Sequence, residues 1–399
     1  MPMITPSVLI TSILNPNMRI FDIVMRTEYG TSYNSYAVLG SEKVALIDSS
    51  HLKFLEPYLQ NVEKALGKRT PDYLVMNHNE PDHSGTVAAL LERYPSLTII
   101  ASQAGAIYLK NITNRADLNI MKVHDGDEVS LGDKTLRFIN APFLHWPDSM
   151  FTYIPEEKIL FTCDFLGAHY CEPQLFDTCV SYREAYANSV KEYYDAIFHP
   201  FAPYVLKGLE KLEGLEVSWC APSHGPILTD TCEYEHNRER YRKWATPLKR
   251  TRRRIPVFYV SAYGNTERLA THVARGILAA LPDAEVTCYD LNQHDFAVLA
   301  SALNDSDAFL VGSPTINRDA LPPVFNLLAA IDAVTIAKRP VALFGSYGWS
   351  GEALPHLAER LTSLKCAVFG PQLKVCFTPS AADLVAAEEL GRSFATSLL

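Results

Sequence analysis

Apolar positions follow two patterns along this chain, and the pattern changes near residue 250. Downstream stand five near-continuous apolar runs: VFYVS (257–261), VTCYDL (286–291), AFLVGS (308–313), VALFGS (341–346) and KVCFT (374–378). Helical stretches separate most of them. The clearest predicted helix starts at Thr266 and places Leu269, Val273, Ile277 and Leu281 at four-residue steps. Strands apolar on both faces that alternate with helices predict a doubly wound parallel sheet. Upstream, the runs are shorter and pair around polar turns. YAVLGSEKVALIDSS (36–50) reads as a hairpin. MFTYIPEEKILFTCDF (150–165) repeats the plan: strand, turn, strand, then an aspartate. Internal duplication and chance both account for that likeness. Further strands are predicted at YLVM (73–76), LTIIAS (97–102), LRFINAP (136–142) and VSWCAP (217–222), and a helix near Ser84.

The length of 399 residues exceeds what one core usually holds, so two domains are expected, 1–250 and 251–399. The basic run Lys249, Arg250, Arg252, Arg253 and Arg254 lies at the boundary, between Pro247 and Pro256, and reads as a solvated linker. A net charge of −9 argues against generic nucleic-acid binding. No apolar run reaches the roughly 18 residues of a membrane span. The N-terminus has no basic start ahead of its apolar patch, so a cytoplasmic protein is expected. Eight cysteines lie scattered with no CxxC pair, which excludes a rubredoxin-like iron site or zinc ribbon of that form. Reduced core cysteines are expected.

Charge and imidazole concentrate in NHNEPDHSG (77–85), directly after the run 73–76. It supplies His78, Glu80, Asp82 and His83. Each alone fits a polar loop that caps a helix. Together, imidazole and carboxylate at alternating positions aim ligands at a common cation. Three more donors each follow a predicted strand: His145 in FLHWPDS, Asp164 at the end of ILFTCD, and His224 in APSHGP. Four histidines and three carboxylates without sulfur make an oxygen-rich set, suited to iron with open positions rather than to closed structural zinc. Spacing alone leaves a binuclear hydrolase open.

In the second half, Ser261, Tyr263, Gly264, Asn265 and Thr266 join a buried strand to a helix. Hydroxyls and amide N–H groups at a helix N-terminus cradle phosphate. VGSPTINRD (311–319) offers Ser313, Pro314, Thr315 and Asn317. GSYGWSGE (345–352) offers Ser346, Tyr347, Gly348, Trp349, Ser350 and Gly351. Both loops leave the C-terminal ends of strands, where open α/β sheets bind ligands. Gly345, Gly348 and Gly351 would let the backbone approach a flat ring. No G-x-G-x-x-G is present, so a dinucleotide is not indicated.

The metal loop resembles that of the metallo-β-lactamase fold, H-x-H-x-D-H, with Glu80 in place of the second histidine. The 261–266 loop resembles the FMN-phosphate loop of flavodoxins, with Tyr263 where Thr or Ser is usual. Over almost its whole length the chain resembles the flavodiiron proteins, or A-type flavoproteins, whose H-x-E-x-D-H motif followed by His, Asp and His is matched at every position. The resemblance implies a mixed α/β and α+β chain: an N-terminal metallo-β-lactamase-like αβ/βα sandwich and a C-terminal flavodoxin-like doubly wound parallel sheet. It implies FMN and two non-haem Fe ions, one on His78, Glu80 and His145, the other on Asp82, His83 and His224, with Asp164 bridging. It implies reduction of O2 to water and/or NO to N2O, with electrons passing from an external donor, such as a rubredoxin or a reduced deazaflavin, through FMN. It further implies a head-to-tail homodimer, or a dimer of such dimers, in which the FMN of one subunit faces the irons of the other. No fused rubredoxin or flavin-reductase module is expected after residue 399. Two rivals remain. One is a zinc hydrolase using metal-bound hydroxide with an accessory flavodoxin-like module, against which Glu80 speaks. The other is an electron carrier with an inert first half, against which the complete donor set speaks.

Overall fold

The computed structural model describes residues 2–22, 25–247 and 250–399; Lys249 of the basic run lies outside them. The chain divides into two compact units, Met1–Pro247 and Leu248–Leu399.

The first unit is built on two sheets. One has seven strands in the order Met3–Thr5, Val8–Ile10, Tyr36–Leu39, Val44–Ile47, Tyr73–Met76, Thr98–Ala101, Ile120–Lys122. The hairpin pairs Tyr36 with Ile47, and from Val44–Ile47 onward the strands run parallel. The other has six strands: Glu128–Ser130, Thr135–Asn140, Met150–Ile154, Ile159–Cys163, Trp219–Pro222, Leu228–Thr229. Its hairpin, Met150–Ile154 with Ile159–Cys163, is likewise followed by a parallel neighbour, Trp219–Pro222. The two sheets therefore share one plan.

Successive side chains point to opposite faces of a strand. Ile47, Val75 and Ile100 from one sheet join Phe138, Ile154 and Phe161 from the other in a single buried core. Leu46, Leu74 and Ile99 pack outward under Tyr58, Val62 and Leu90 of flanking helices. On the far side, Phe151, Leu160 and Cys220 pack with Tyr186, Val190 and Val205 of other helices. Both faces of each sheet are covered, which is why these strands read as unbroken apolar runs. The helix expected to begin near Ser84 is two pieces, Pro81–Ser84 and Val87–Arg93. A Cβ at Gly85 would lie 2.6 Å from both the Leu52 nitrogen and the Pro81 oxygen, so the chain there is too crowded for a side chain.

The second unit is a parallel sheet in the order Cys288–Asp290, Val257–Tyr259, Phe309–Gly312, Pro340–Tyr347, Ala367–Val368; Leu373–Cys376 pairs along the later half of Pro340–Tyr347. Helices Asn265–Ala280 and Ala381–Thr396 cover one face, while Phe296–Asn304, Pro322–Ala329 and Ala353–Ser363 cover the other. The chain steps from Val257–Tyr259 to the edge and returns to Phe309–Gly312. This creates a switch point between those two strands, where ligands enter such sheets. Among the described residues of the basic run, Arg250, Arg252 and Arg253 are exposed and Arg254 is half-buried, yet several are held. Arg250 pairs with Asp305 at 3.4 Å, Arg254 with Glu285 at 3.3 Å, and Arg253 donates to the Leu398 carbonyl. Opposite charge on the second unit thus ties down what the sequence alone suggests is a loose linker.

All eight cysteines are unpaired; Cys163, Cys220 and Cys366 are buried and Cys376 is exposed. Among the described residues no helix is long and apolar enough to cross a membrane.

Candidate metal centre

Every predicted metal donor follows the C-terminal end of a strand. His78, Glu80, Asp82 and His83 follow Tyr73–Met76, His145 follows Thr135–Asn140, Asp164 follows Ile159–Cys163, and His224 follows Trp219–Pro222. The structure brings all seven together in two groups of donor atoms, with mutual distances no greater than 4.8 Å: His78, Glu80, His145 and Asp164 in one, Asp82, His83 and His224 in the other.

Asp164 touches both groups with different oxygens. Its Oδ2 lies 3.5 Å from His78 Nε2 and 3.5 Å from His145 Nε2. Its Oδ1 lies 3.0 Å from His83 Nε2 and 3.5 Å from His224 Nε2. Glu80 Oε2 completes the first group, 3.2 Å from His78 Nε2 and 3.1 Å from His145 Nε2. Asp82 completes the second, with Oδ2 3.0 Å from His224 Nε2 and Oδ1 3.4 Å from His83 Nε2.

Partners outside the set turn the imidazoles. His78 Nδ1 lies 3.3 Å from Asp148 Oδ1, and the Asn79 amide N–H and side-chain Nδ2–H each donate to Asp148 Oδ2 at 2.8 Å. His224 Nδ1–H donates to the Ser32 carbonyl at 2.6 Å; a carbonyl only accepts, so the lone pair is on Nε2, facing the centre. Asp148 lies in the same segment as His145 but carries no pattern of its own in the sequence. Ser32 contributes backbone, which no side-chain motif reports. His169, also unforeseen, packs its ring 5.0 Å from His224 and shares its Nδ1 with the Thr31 hydroxyl at 2.9 Å. Burial, then the neighbouring His224, holds its pKa well below the ordinary value, so it is neutral.

The donor set fits metal ions on chemical grounds. Both Asp82 oxygens, both His83 ring nitrogens and Asp164 Oδ1 are buried without a hydrogen-bond partner. Orphaned polar atoms at this density cost several kcal/mol in an apolar interior, of order 1–3 kcal/mol each, unless a cation takes them up. Without metal, protons serve instead. Burial lowers His83, but Asp82 and Asp164 outweigh it and lift the pKa to about 9. Burial likewise opposes charge on His78, and its contacts with Asp148 and Glu80 reverse the shift to well above the usual value. Asp164 is held well below the carboxylate range: burial would raise it, but His83 and His145 overcome that effect. Metal must therefore displace protons. Iron affinity of the metal-free protein is expected to rise with pH up to about 9, with proton release on binding. The sign is the same for stability. A raised His83 stabilises the metal-free fold fully below its ordinary 6.5 and loses that contribution as pH climbs through about 9. Iron titrations at stepped pH check this. Asp148→Asn is expected to weaken iron binding about 10–100-fold, read by the same titration, because His78 loses its charged anchor.

The second unit carries a cleft of about 170 Å³ at the switch-point end of its sheet. Of the predicted residues, Ser261, Tyr263, Asn265, Pro314, Thr315, Ser346, Tyr347 and Gly348 line it. Ala262, Ile316 and Phe377 line it too; Phe377 was not foreseen because it comes from a later strand end. Gly264, at φ 78°, precedes the helix Asn265–Ala280 without a side-chain cap. Most first-turn N–H groups there are free for an anion, which suits a phosphate. Thr266 is buried and shares a 3.0 Å contact with the Ser346 hydroxyl. Ser313 is buried, accepting from the Leu321 N–H at 3.1 Å. Asn317, Trp349, Ser350 and Gly351 do not line the cleft, and Trp349 is 98% exposed. Gly345 faces protein rather than a ring: a Cβ there would lie 2.1 Å from the Ser313 carbonyl.

Comparison with known proteins finds relatives over nearly the whole chain. Residues 31–225 match a family model described as ODP family beta lactamase, and residues 257–391 match the flavodoxin model. The chain is 49% identical to flavo-diiron protein FprA2 of Clostridium acetobutylicum, over 97% of this chain and 96% of that one. It is 34% identical to the anaerobic nitric oxide reductase flavorubredoxin of Vibrio vulnificus, over 84% of this chain and 68% of that one. Among solved structures, rubredoxin oxygen:oxidoreductase from Desulfovibrio gigas superposes with a TM-score of 0.70 at 28% identity, covering 100% of this chain and 98% of that one.

Proposed function

This chain belongs to the flavodiiron protein family, and we propose that it reduces O2 to water, NO to N2O, or both, at a pair of irons recharged through FMN. It is an oxidoreductase with a metallo-β-lactamase-like first domain and a flavodoxin-like second domain, and its cofactors are FMN and a diiron centre. Similarity to a named nitric oxide reductase and to a named oxygen oxidoreductase supports both reactions. The observation that carries the reading is the division of Asp164, one oxygen toward each three-residue donor group.

His78, Glu80 and His145 would hold one ion, Asp82, His83 and His224 the other, and Asp164 both. When bound, two ferrous ions and one reduced FMN supply the four electrons that O2 requires, twice what a pair of NO molecules needs. The chain does the rest by positioning. Asp148 and the Ser32 carbonyl hold protons on Nδ1 of His78 and His224, which leaves each Nε2 free to ligate. Burial of five of the seven donors to 5% exposure or less, with His145 and Glu80 half-buried, limits water while leaving one side approachable. In the second domain, the loop 261–266 and helix Asn265–Ala280 would take the FMN phosphate, and the loops 313–317 and 346–351 would flank its ring. Electrons would come from an external donor; a rubredoxin is supported by the name of the Desulfovibrio gigas protein. We further propose a head-to-tail homodimer and, from eight unpaired cysteines, a reducing cytoplasmic setting.

The test is anaerobic. Protein verified to hold two irons and one FMN is reduced, then given O2 and NO separately at an electrode. Rapid consumption of at least one gas is expected; consumption of neither would overturn the reading.

A further inference from the structure

Cys163 is outside the seven-residue set, yet its thiol lies against it. Cys163 Sγ, a ring nitrogen of His83 and a carboxylate oxygen of Asp164 all lie within 4.8 Å of one another. The three residues are 3%, 1% and 2% exposed. The Ser223 hydroxyl donates to Sγ at 3.3 Å. Neither His83 ring nitrogen nor Asp164 Oδ1 has a hydrogen-bond partner. A buried nitrogen, oxygen and sulfur within 4.8 Å of one another form a different kind of ligand set from the sulfur-free seven.

We propose that Cys163, His83 and Asp164 form a sulfur-containing site for a thiophilic divalent cation of the zinc or cadmium class, overlapping one half of the diiron centre. Thiolate ligands favour such ions, whereas carboxylate-rich sets favour harder ones. Binding replaces the thiol proton with the metal: Cys–SH and M²⁺ give a Cys–S–M bond and release H⁺, and no electron moves. Because His83 and Asp164 serve both sets, the thiophilic ion takes one ligand and the shared carboxylate from iron. The site stands on its own geometry; only its consequence, exclusion of iron and loss of gas reduction, rests on the function proposed above.

Full-length protein is stripped of metal by a chelator with FMN retained, then titrated anaerobically with cadmium chloride. The tightest equivalent is expected to give thiolate-to-cadmium charge-transfer absorption and a cadmium NMR resonance in the sulfur-bound range. Cys163→Ser is expected to lose that band and weaken the equivalent about tenfold or more, while Cys376→Ser keeps both. An unchanged titration in Cys163→Ser overturns the proposal. If that variant does not fold, the wild-type resonance decides: a shift typical of nitrogen and oxygen ligands alone also overturns it. Iron loading, measured separately as two ions per chain, tests the diiron reading independently of the cadmium result.

Discussion

Asp164→Ala is expected to lower gas reduction more than about a hundredfold while FMN stays bound. The carboxylate contributes an oxygen to each donor group, 3.5 Å from two imidazole nitrogens on one side and 3.0 and 3.5 Å from two on the other. Its removal leaves four histidines crowded in a buried space with one fewer negative charge. Losing even an outer partner of a metal ligand typically costs 10–100-fold in affinity or activity, so losing a ligand that two ions would share costs more. The measurements are iron per chain, flavin absorbance and gas consumption. Iron is expected to fall from two to one or none. Retained turnover with two irons would show that Asp164 does not bridge.

Asp48→Ala is the second large effect, and it acts without touching the donors through a ligand bond. Asp48 is 2% exposed and sits at the end of Val44–Ile47. It accepts from the Asn77 amide at 2.8 Å and from Asn77 Nδ2 at 3.1 Å. Asn77 in turn bolts the two sheets together: its carbonyl accepts from the Met150 N–H at 2.9 Å, and its Oδ1 accepts from the Thr152 hydroxyl at 2.7 Å. Residue 78, the first donor, follows directly. Truncation would orphan two buried donors, each worth about 1–3 kcal/mol, and free the start of the metal loop. We expect about 2–5 kcal/mol lost in denaturant unfolding and a matching fall in iron content. A variant with native stability and full iron loading would contradict this role.

The gathering of the seven candidate donors was legible because a metal site would constrain side-chain type and placement together. Imidazole and carboxylate past strand ends, where the backbone turns, are visible in a linear chain. The hairpins 36–50 and 150–165 were legible for a similar reason: sheets covered on both faces force continuous apolar runs. What supports the donors was not legible. Asp148 and Asp48 are single aspartates among the chain's many acids, and only folding shows which imidazole or amide each meets. The Ser32 carbonyl leaves no trace in the sequence at all. The helix break at Gly85 depends on Leu52, more than thirty residues away, pressing on its backbone. The outer strands, such as Met3–Thr5 and Ile120–Lys122, are three residues long, too short to show a period. In the second unit the loops at the strand ends were readable from the apolar runs, but the strand order that makes the switch point was not, and Phe377 reaches the cleft from a strand that pairs beyond Pro340–Tyr347's midpoint. Gly345, readable as space for a ring, instead lets two loops pass within contact of each other.

Anomalous diffraction at the iron absorption edge, from crystals of protein loaded with ferrous iron, tests the central claim most directly. Two peaks per chain are expected on either side of Asp164, one among His78, Glu80 and His145, the other among Asp82, His83 and His224. A single peak, peaks away from these seven residues, or scattering that persists only at the zinc edge would contradict it.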